Sequence, residues 1–462
     1  MDKKRLLITI SFSFSIRYLY RTGLLNKLRD FVTQVIAITW NETSLIKELQ
    51  DDGFEVHLIE ESKKGNQYSN IRTKIDYWFH GFLVKSISKK VQEKYLNQYL
   101  PIKQIIRRKA REQYNLAKFY IPNYRATLFN KEQSLLQHDT NYQNMLQLVD
   151  DLNIDAVFTV TPFHTQEDVL LRACKQKGKF MITSILSFDN LTKRGWIPVE
   201  YDVYLVWNKY NKQEAIKYYP SSASNKNVHI VGAAQFDFYF DNNNLLTKDE
   251  WKNLVGIPAE ERQIILYGGG PQRLFPNEPQ YLQHILNAID KGEITGNPLV
   301  LFRCHPIDRI ERWKNLIGNH PNLIYDISWT GKETLQSTNI SIDDVKKLCS
   351  TLAYTDVHIN LCSTLTVDGS AYNKPQIGPC YDEVNASKQH LLQDMYLQDH
   401  FKPIVESKGL LLAKSKKELV QFINDTLKDP LKYINKSRKI LQEIISFEDG
   451  KCTDRVASVI QE

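Results

Sequence analysis

Short apolar runs alternate with amphipathic stretches along nearly the whole chain. In the first half the runs are Leu6–Phe12, Val35–Thr39, Val56–Glu60, Ala156–Val160, Phe180–Ile185 and Val203–Val206. Between several of them lie segments with apolar residues at helical spacing, such as Ser44–Asp51 and Thr165–Lys177. Strands that are apolar along their whole length are buried on both faces, and the order strand, helix, strand implies parallel βαβ units. The second half repeats the scheme, with strands predicted at Gln263–Tyr267, Leu299–Arg303, Asn322–Tyr325, Val357–Leu361 and Gln376–Gly378. Helices are predicted there at Pro279–Lys291, Ile307–Leu316, Ser341–Tyr354 and Leu365–Asn373. The pattern predicts an α/β protein of two doubly wound, parallel-sheet (Rossmann-like) domains facing a cleft. In such sheets ligands bind outside the carboxyl ends of the strands.

Two breaks in the alternation divide the chain. Residues 67–150 read as long basic helices, an insertion in a first domain spanning 1–220. The turn-rich stretches Pro220-Ser-Ser-Ala-Ser-Asn and Asp241-Asn-Asn-Asn mark residues 221–260 as a linker. A second domain is expected over 261–430, mostly helical after about residue 385, with C-terminal helices over 431–462 packing back on the first domain.

Composition adds constraints. The chain has 462 residues, enough for two or three domains, and is 42% hydrophobic and 24% charged, ordinary for a soluble protein. A net charge of +7 suits anionic partners but does not argue for nucleic acid, and no nucleic-acid module is present. None of the six cysteines forms a CxxC pair or zinc spacing, so they read as small buried residues in a reducing cytosol. The apolar run at the N-terminus is short, broken by serines and followed by Arg17 and Arg21, which suits a first strand better than a signal peptide. No stretch approaches the roughly 18 apolar residues of a membrane span. A cytoplasmic location follows as the expectation.

Three strand ends carry candidate chemistry. Leu266-Tyr-Gly-Gly-Gly-Pro271 follows a strand, and Gly268, Gly269 and Gly270 would let backbone N–H groups approach a phosphate, or simply form a turn. The stretch is neither GxGxxG nor a Walker loop. Phe302-Arg-Cys-His-Pro306 places His305 rigidly before Pro306, where an imidazole can donate to a phosphate or assist a leaving one. Arg303 is a further candidate for the donor site. Asn360-Leu-Cys-Ser-Thr364 runs from a strand into a helix, with Ser363 as a good N-cap and free N–H groups at an anion site. Asp368, one turn later, is placed to reach a ribose hydroxyl.

This order of glycine-rich strand end, His-Pro and Ser-Thr resembles the C-terminal, nucleotide-binding half of GT-B glycosyltransferases. It is most similar to capsule and lipopolysaccharide enzymes related to the CDP-glycerol glycerophosphotransferases and the CMP-sugar sialyl- and Kdo-transferases. The resemblance implies that His305 with Pro306, and Ser363 with Thr364, contact the donor's phosphate and nucleotide, and that Asp368 serves the ribose. Ser187-Phe-Asp-Asn-Leu-Thr-Lys-Arg-Gly195, Tyr204-Leu-Val-Trp-Asn208, Val231-Gly-Ala-Ala-Gln-Phe-Asp237 and Phe447-Glu-Asp-Gly-Lys-Cys-Thr-Asp-Arg455 also look like capsule-type relatives. The likeness covers roughly residues 150–460. Ala233-Ala234 stands where relatives often have proline, and the insertion at 67–150 has no counterpart.

The resemblance makes the first domain the acceptor side and the second the donor side. It implies transfer of a sugar from a nucleotide-activated donor to a glycan or lipid-linked acceptor in surface polysaccharide assembly, inverting in the favoured reading. No DxD-type loop is seen, so no metal and no cofactor beyond the donor itself are expected. A base on the acceptor side would be His164, in Thr161-Pro-Phe-His-Thr-Gln-Glu-Asp168, or Asp189, beside Lys193 and Arg194. Glu167 and Asp168 equally suit a helix N-terminus. The basic helices between 85 and 125 fit either a solvated face or contact with an anionic membrane at its inner surface. Alternatives on the same fold are a CDP-polyol phosphotransferase and a nucleotide-sugar 2-epimerase. A different class is a non-catalytic GT-B scaffold that binds glycan or nucleotide.

Overall fold

The computed structural model describes residues 3–59, 66–97, 100–306, 308, 310–328, 339–382 and 392–462. The first sheet contains β1 (Lys4–Ile10), β2 (Val32–Ile38), β3 (Glu55–Leu58), β4 (Ala156–Thr159), β5 (Phe180–Ser184), β6 (Val203–Val206) and β7 (Val228–Ile230). Their order across the sheet is β3-β2-β1-β4-β5-β6-β7. The second contains β8 (Ile264–Gly268), β9 (Leu299–Arg303), β10 (Leu323–Asp326), β11 (Val357–Asn360), β12 (Gln376–Pro379) and β13 (Leu410–Ala413), in the order β10-β9-β8-β11-β12-β13. Every pairing is parallel. Central strands such as β8 and β9 are buried at every residue, as strands covered by helices on both faces must be.

Strand order reverses between β1 and β4 in the first sheet and between β8 and β11 in the second. At such switch points the connections leave in opposite directions and open a crevice at the strand ends. The two crevices face each other, and this positions the site.

Four expectations change. β7 falls inside the stretch read as linker; it is only three residues long, too short to announce itself. β13 breaks the stretch read as helical after residue 385, because the apolar Leu410–Ala413 pairs with β12. The helix expected at Ile307–Leu316 is a single 3-10 turn, Ile310–Trp313, with residues 307 and 309 outside the described residues. The helix expected to reach Asn373 ends at Ser370; Asn373 takes a positive φ of 56°, and Pro375 follows.

The C-terminal helices divide between the domains. Leu431–Ile445 buries Ile440, Leu441, Ile444 and Ile445 in the second domain's core. Cys452–Gln461 buries Cys452, Val456 and Ala457 beside Leu6, Ile8 and Ile36 of the first sheet. Its start is fixed by Asp237, whose carboxylate accepts from the N–H groups of Cys452 (2.9 Å) and Thr453 (2.8 Å). The insertion comprises the helix Asn66–Trp78, a π-helical turn Phe79–Val84, and the helices Ile87–Asn97, Ile102–Lys118, Tyr124–Gln137 and Thr140–Asp151.

Candidate functional site

A cavity of about 1230 Å³ lies between the domains at the paired switch points. Residues from β8, β9 and β11 ends form one wall: Gly268, Gly269, Arg303, His305, Pro306, Ser363, Thr364 and Asp368. The other wall comes from the first domain and includes His164 and Asp189. Among the donor-side candidates only Gly270 does not line the cavity.

The glycines serve close packing. A Cβ on Gly268 would sit 2.2 Å from Leu365 Cδ2, and one on Gly270 would sit 2.5 Å from the Phe275 ring. The Gly269 N–H donates to the Arg303 carbonyl (2.9 Å), and the Gly270 N–H donates to the Glu278 carboxylate (2.8 and 3.0 Å). Both donors are therefore engaged within the fold rather than bared for a phosphate. Arg303 is similarly committed: its buried guanidinium pairs with Asp326 and donates to the Ser328 carbonyl at 3.0 Å. A cross-strand carboxylate on β10 neutralises it, so it braces the wall.

His305 leaves β9 just before Pro306 and is mostly buried. Burial pushes its imidazole down to about 4, with Asp308 opposing and Arg312 assisting, so the ring is neutral at pH 7. A neutral ring still donates one N–H.

At the β11 end the chain turns sharply through Cys362, which adopts a positive φ of 46°. Asn360 Oδ1 accepts from the Ser363 N–H (3.2 Å) and the Thr366 hydroxyl (2.9 Å). The Ser363 hydroxyl accepts from the Leu365 N–H at 3.2 Å, but the N-cap position falls one residue later than expected, on exposed Thr364. Asp368 accepts from the Tyr239 hydroxyl at 2.8 Å; burial raises its pKa, and Arg17 nearby acts against this.

On the opposite wall His164 ends the β4 loop. Its Nδ1 lies 3.0 Å from the Ser11 hydroxyl, and the Phe12 and Phe163 rings meet it edge-on. Burial, then the charge of Arg194, push it down to about 4. Glu167 accepts from Thr9, Thr159 and Thr161, while Asp168 accepts from Tyr68 and Arg172; both are bound into the fold behind the cavity. For Asp189, burial opposes ionisation, yet Lys193 at 3.1 Å, with His400 next, holds the carboxyl below the ordinary carboxylate range. A carboxylate so paired is a weak base.

Several cavity residues escape a sequence reading. Arg17 Nε, Trp40 Nε1 and Trp207 Nε1 are buried donors with no hydrogen-bond partner among the described residues, whereas Arg72 Nη1 lies 3.5 Å from the Glu132 carboxylate in an ion pair. Asp76 accepts from the Trp196 N–H (3.2 Å), and burial raises its pKa. Arg72 stacks over the Trp196 ring at 4.9 Å. Arg72 and Asp76 share one face of Asn66–Trp78 through their four-residue spacing, a polar stripe that the sequence does display. Among the described residues no group of three or more His, Cys, Asp or Glu side chains is placed to hold a metal ion, and no helix is long and apolar enough to cross a membrane.

No family model matches the chain, and no curated protein matches it in sequence. Solved structures do match it over its whole length. A putative UDP-N-acetylglucosamine 2-epimerase from Listeria monocytogenes superposes with a TM-score of 0.56 at 11% identity, covering 100% of this chain and 96% of that one. The UDP-GlcNAc 2-epimerase from Neisseria meningitidis, solved with UDP-GlcNAc, gives 0.55 at 9% identity over 99% of each chain. Arabidopsis thaliana UGT89C1, solved with UDP, gives 0.52 at 8% identity over 100% of each. Identity this low makes the likeness one of fold, and the paired sheets with facing switch points agree with it: the chain has the GT-B fold.

Proposed function

We propose that the protein is a glycosyltransferase that moves a sugar from a nucleotide-activated donor to a glycan or lipid-linked acceptor in surface polysaccharide assembly. The observation that carries this reading is the meeting, in one cavity, of three strand ends of the second sheet with unpartnered buried donors of the first domain. A buried N–H without a partner is costly, so Arg17, Trp40 and Trp207 favour a ligand rich in acceptor oxygens. Sugar hydroxyls and phosphates are such a ligand. Structural neighbours solved with UDP or UDP-GlcNAc support the same class of donor.

In this reading Ser363, Thr364 and the N–H of neutral His305 hold the donor phosphates, Arg17 adds a cation from the facing domain, and Asp368 takes the ribose. The acceptor hydroxyl attacks the anomeric carbon as the bond to the nucleotide phosphate breaks. The proton passes to a base, and negative charge builds on the departing phosphate, where fixed donors are most effective. Two groups are candidates for the base: His164, neutral in the fold and oriented by Ser11, and Asp76, which burial makes more basic than an ordinary carboxylate. This route is direct, inverting and independent of metal.

A thermal-shift panel of CMP, CDP, UDP and GDP tests the reading, since a ligand that binds only the native state raises Tm. A rise with one nucleotide supports it; no rise with any favours a non-catalytic scaffold. The likeness to two epimerases gives the 2-epimerase reading its own support. Incubating a bound nucleotide-sugar without acceptor separates the two, because only an epimerase isomerises it. A polyol-phosphate transferase would instead release the nucleoside monophosphate from a CDP-polyol.

A further inference from the structure

The helix Ile102–Lys118 is built inside out. Its outward positions include Ile102 (74% exposed) and Ile106 (61%), with Tyr114 (63%) on the flank; Tyr120 (79%) and Ile121 (56%) follow in the turn beyond it. Its buried position is the polar Asn115. Five of the fourteen large hydrophobic residues exposed among the described residues fall within this one stretch of chain. Lys103, Arg107, Lys109 and Arg111 are exposed among them. Residues 102–125 hold seven lysines and arginines against a single glutamate, so nearly all of the chain's net +7 is gathered here.

We propose that this face docks the protein peripherally on an anionic lipid bilayer. Isoleucine and tyrosine side chains enter the boundary between headgroups and acyl chains, while the surrounding cations meet anionic headgroups. The apolar residues decide between partners. A nucleic-acid backbone would engage the cations but give outward isoleucines nothing to bury against. A second copy of the chain would bring two strongly positive faces together. Only an anionic bilayer satisfies both kinds of side chain.

The position of the face gives the docking a purpose. Leu116 packs on Gly81, and Phe82 meets the rings of Phe119 (6.0 Å) and Tyr120 (5.2 Å), seating the helix on the turn that continues Asn66–Trp78. That underlying helix carries Arg72 and Asp76 into the cavity. The bilayer thus lies one helix layer from the first-domain wall. The docking itself stands apart from the transfer reading; together they would present a membrane-held acceptor to that wall.

Vesicle flotation of the full chain tests the docking without any substrate. On vesicles of roughly one-third phosphatidylglycerol in phosphatidylcholine, binding is expected at low salt, weakening steeply as salt rises. Replacing Lys103, Arg107, Lys109 and Arg111 together by glutamine should lower binding more than 100-fold, at about five-fold per cation near an anionic surface. The pair Ile102→Ser and Ile106→Ser should lower it about ten-fold or more and leave the salt dependence unchanged. All six positions are exposed, so Tm should stay within about 2 °C of the wild type, the margin expected for surface substitutions. The proposal is overturned if the wild type ignores anionic vesicles, if either variant binds as well as the wild type, or if a nucleic-acid duplex retains the protein as tightly as the vesicles do. Loss of nucleotide binding with vesicle binding intact would count against the transferase reading alone.

Discussion

The two walls of the cavity are built on different principles. The second-domain wall is a set of strand ends whose groups are largely satisfied: Gly269 donates inward, Arg303 is paired with Asp326, and Asn360 pins the turn at Ser363. The first-domain wall is aromatic and cationic, with buried donors left open on Arg17, Trp40 and Trp207. A wall already satisfied is rigid and holds one shape, which suits the part common to all donors, a nucleotide phosphate. A wall with open donors waits for its partner and suits the part that differs, the sugar and the acceptor.

The contrast is sharpest for the base. Of His164→Ala and Asp76→Asn, one should lower kcat about 10²–10⁴-fold at unchanged donor KM, the range for a lost general base. If neither does, the base is neither of these two groups. On the facing wall, His305→Ala should cost about 10²–10³-fold in turnover, as loss of one fixed donor to a developing charge does, with Tm nearly unchanged. Normal turnover in that variant would sink its assignment. Arg17→Ala crosses the division: a first-domain cation is expected to weaken nucleotide affinity about 10- to 100-fold by calorimetry, as loss of a charged hydrogen bond does, and wild-type affinity would return Arg17 to a structural role.

Both walls carry a histidine pushed down to about 4 by burial. Each is neutral in the fold, whereas its unfolded counterpart takes up a proton near pH 6.5. Stability from these groups is therefore full above pH 6.5 and falls as pH drops toward 4, by up to about 2 kcal/mol each at pH 5. Tm measured from pH 7 to 5 should fall, and each His→Ala variant should flatten the slope. The smallest effect is expected at Asp189. Held ionised by Lys193, it is a poor base, and Asp189→Asn should change kcat less than about five-fold. A large loss there would restore it as the base.

The same division explains what the chain makes legible. Strand ends follow directly from apolar runs punctuated by Gly, Pro and Ser, so Gly268, Gly269, His305 and Ser363 can be located from local pattern within three short segments. Arg303 shows the limit of that view: its partner Asp326 sits on a neighbouring strand and appears only once β9 and β10 pair. The first-domain wall joins Arg17 after β1, Arg72 and Asp76 from the insertion, and Trp196 from the loop after β5. No local signal links residues brought together by packing alone. The strands β7 and β13 are hard to read for a related reason: Val-His-Ile or Leu-Leu-Leu-Ala marks a strand only when a sheet edge is there to receive it.

Whether the Ser363-Thr364 turn and its neighbours hold a donor phosphate is decided by titrating CMP, CDP, UDP and GDP into the wild type and into the double variant Ser363→Ala, Thr364→Ala by calorimetry. Saturable binding of at least one nucleotide to the wild type is expected, with about ten-fold or greater loss of affinity in the variant at unchanged Tm, since two hydrogen bonds are removed. Equal affinity in both proteins, or no binding to either, would contradict it.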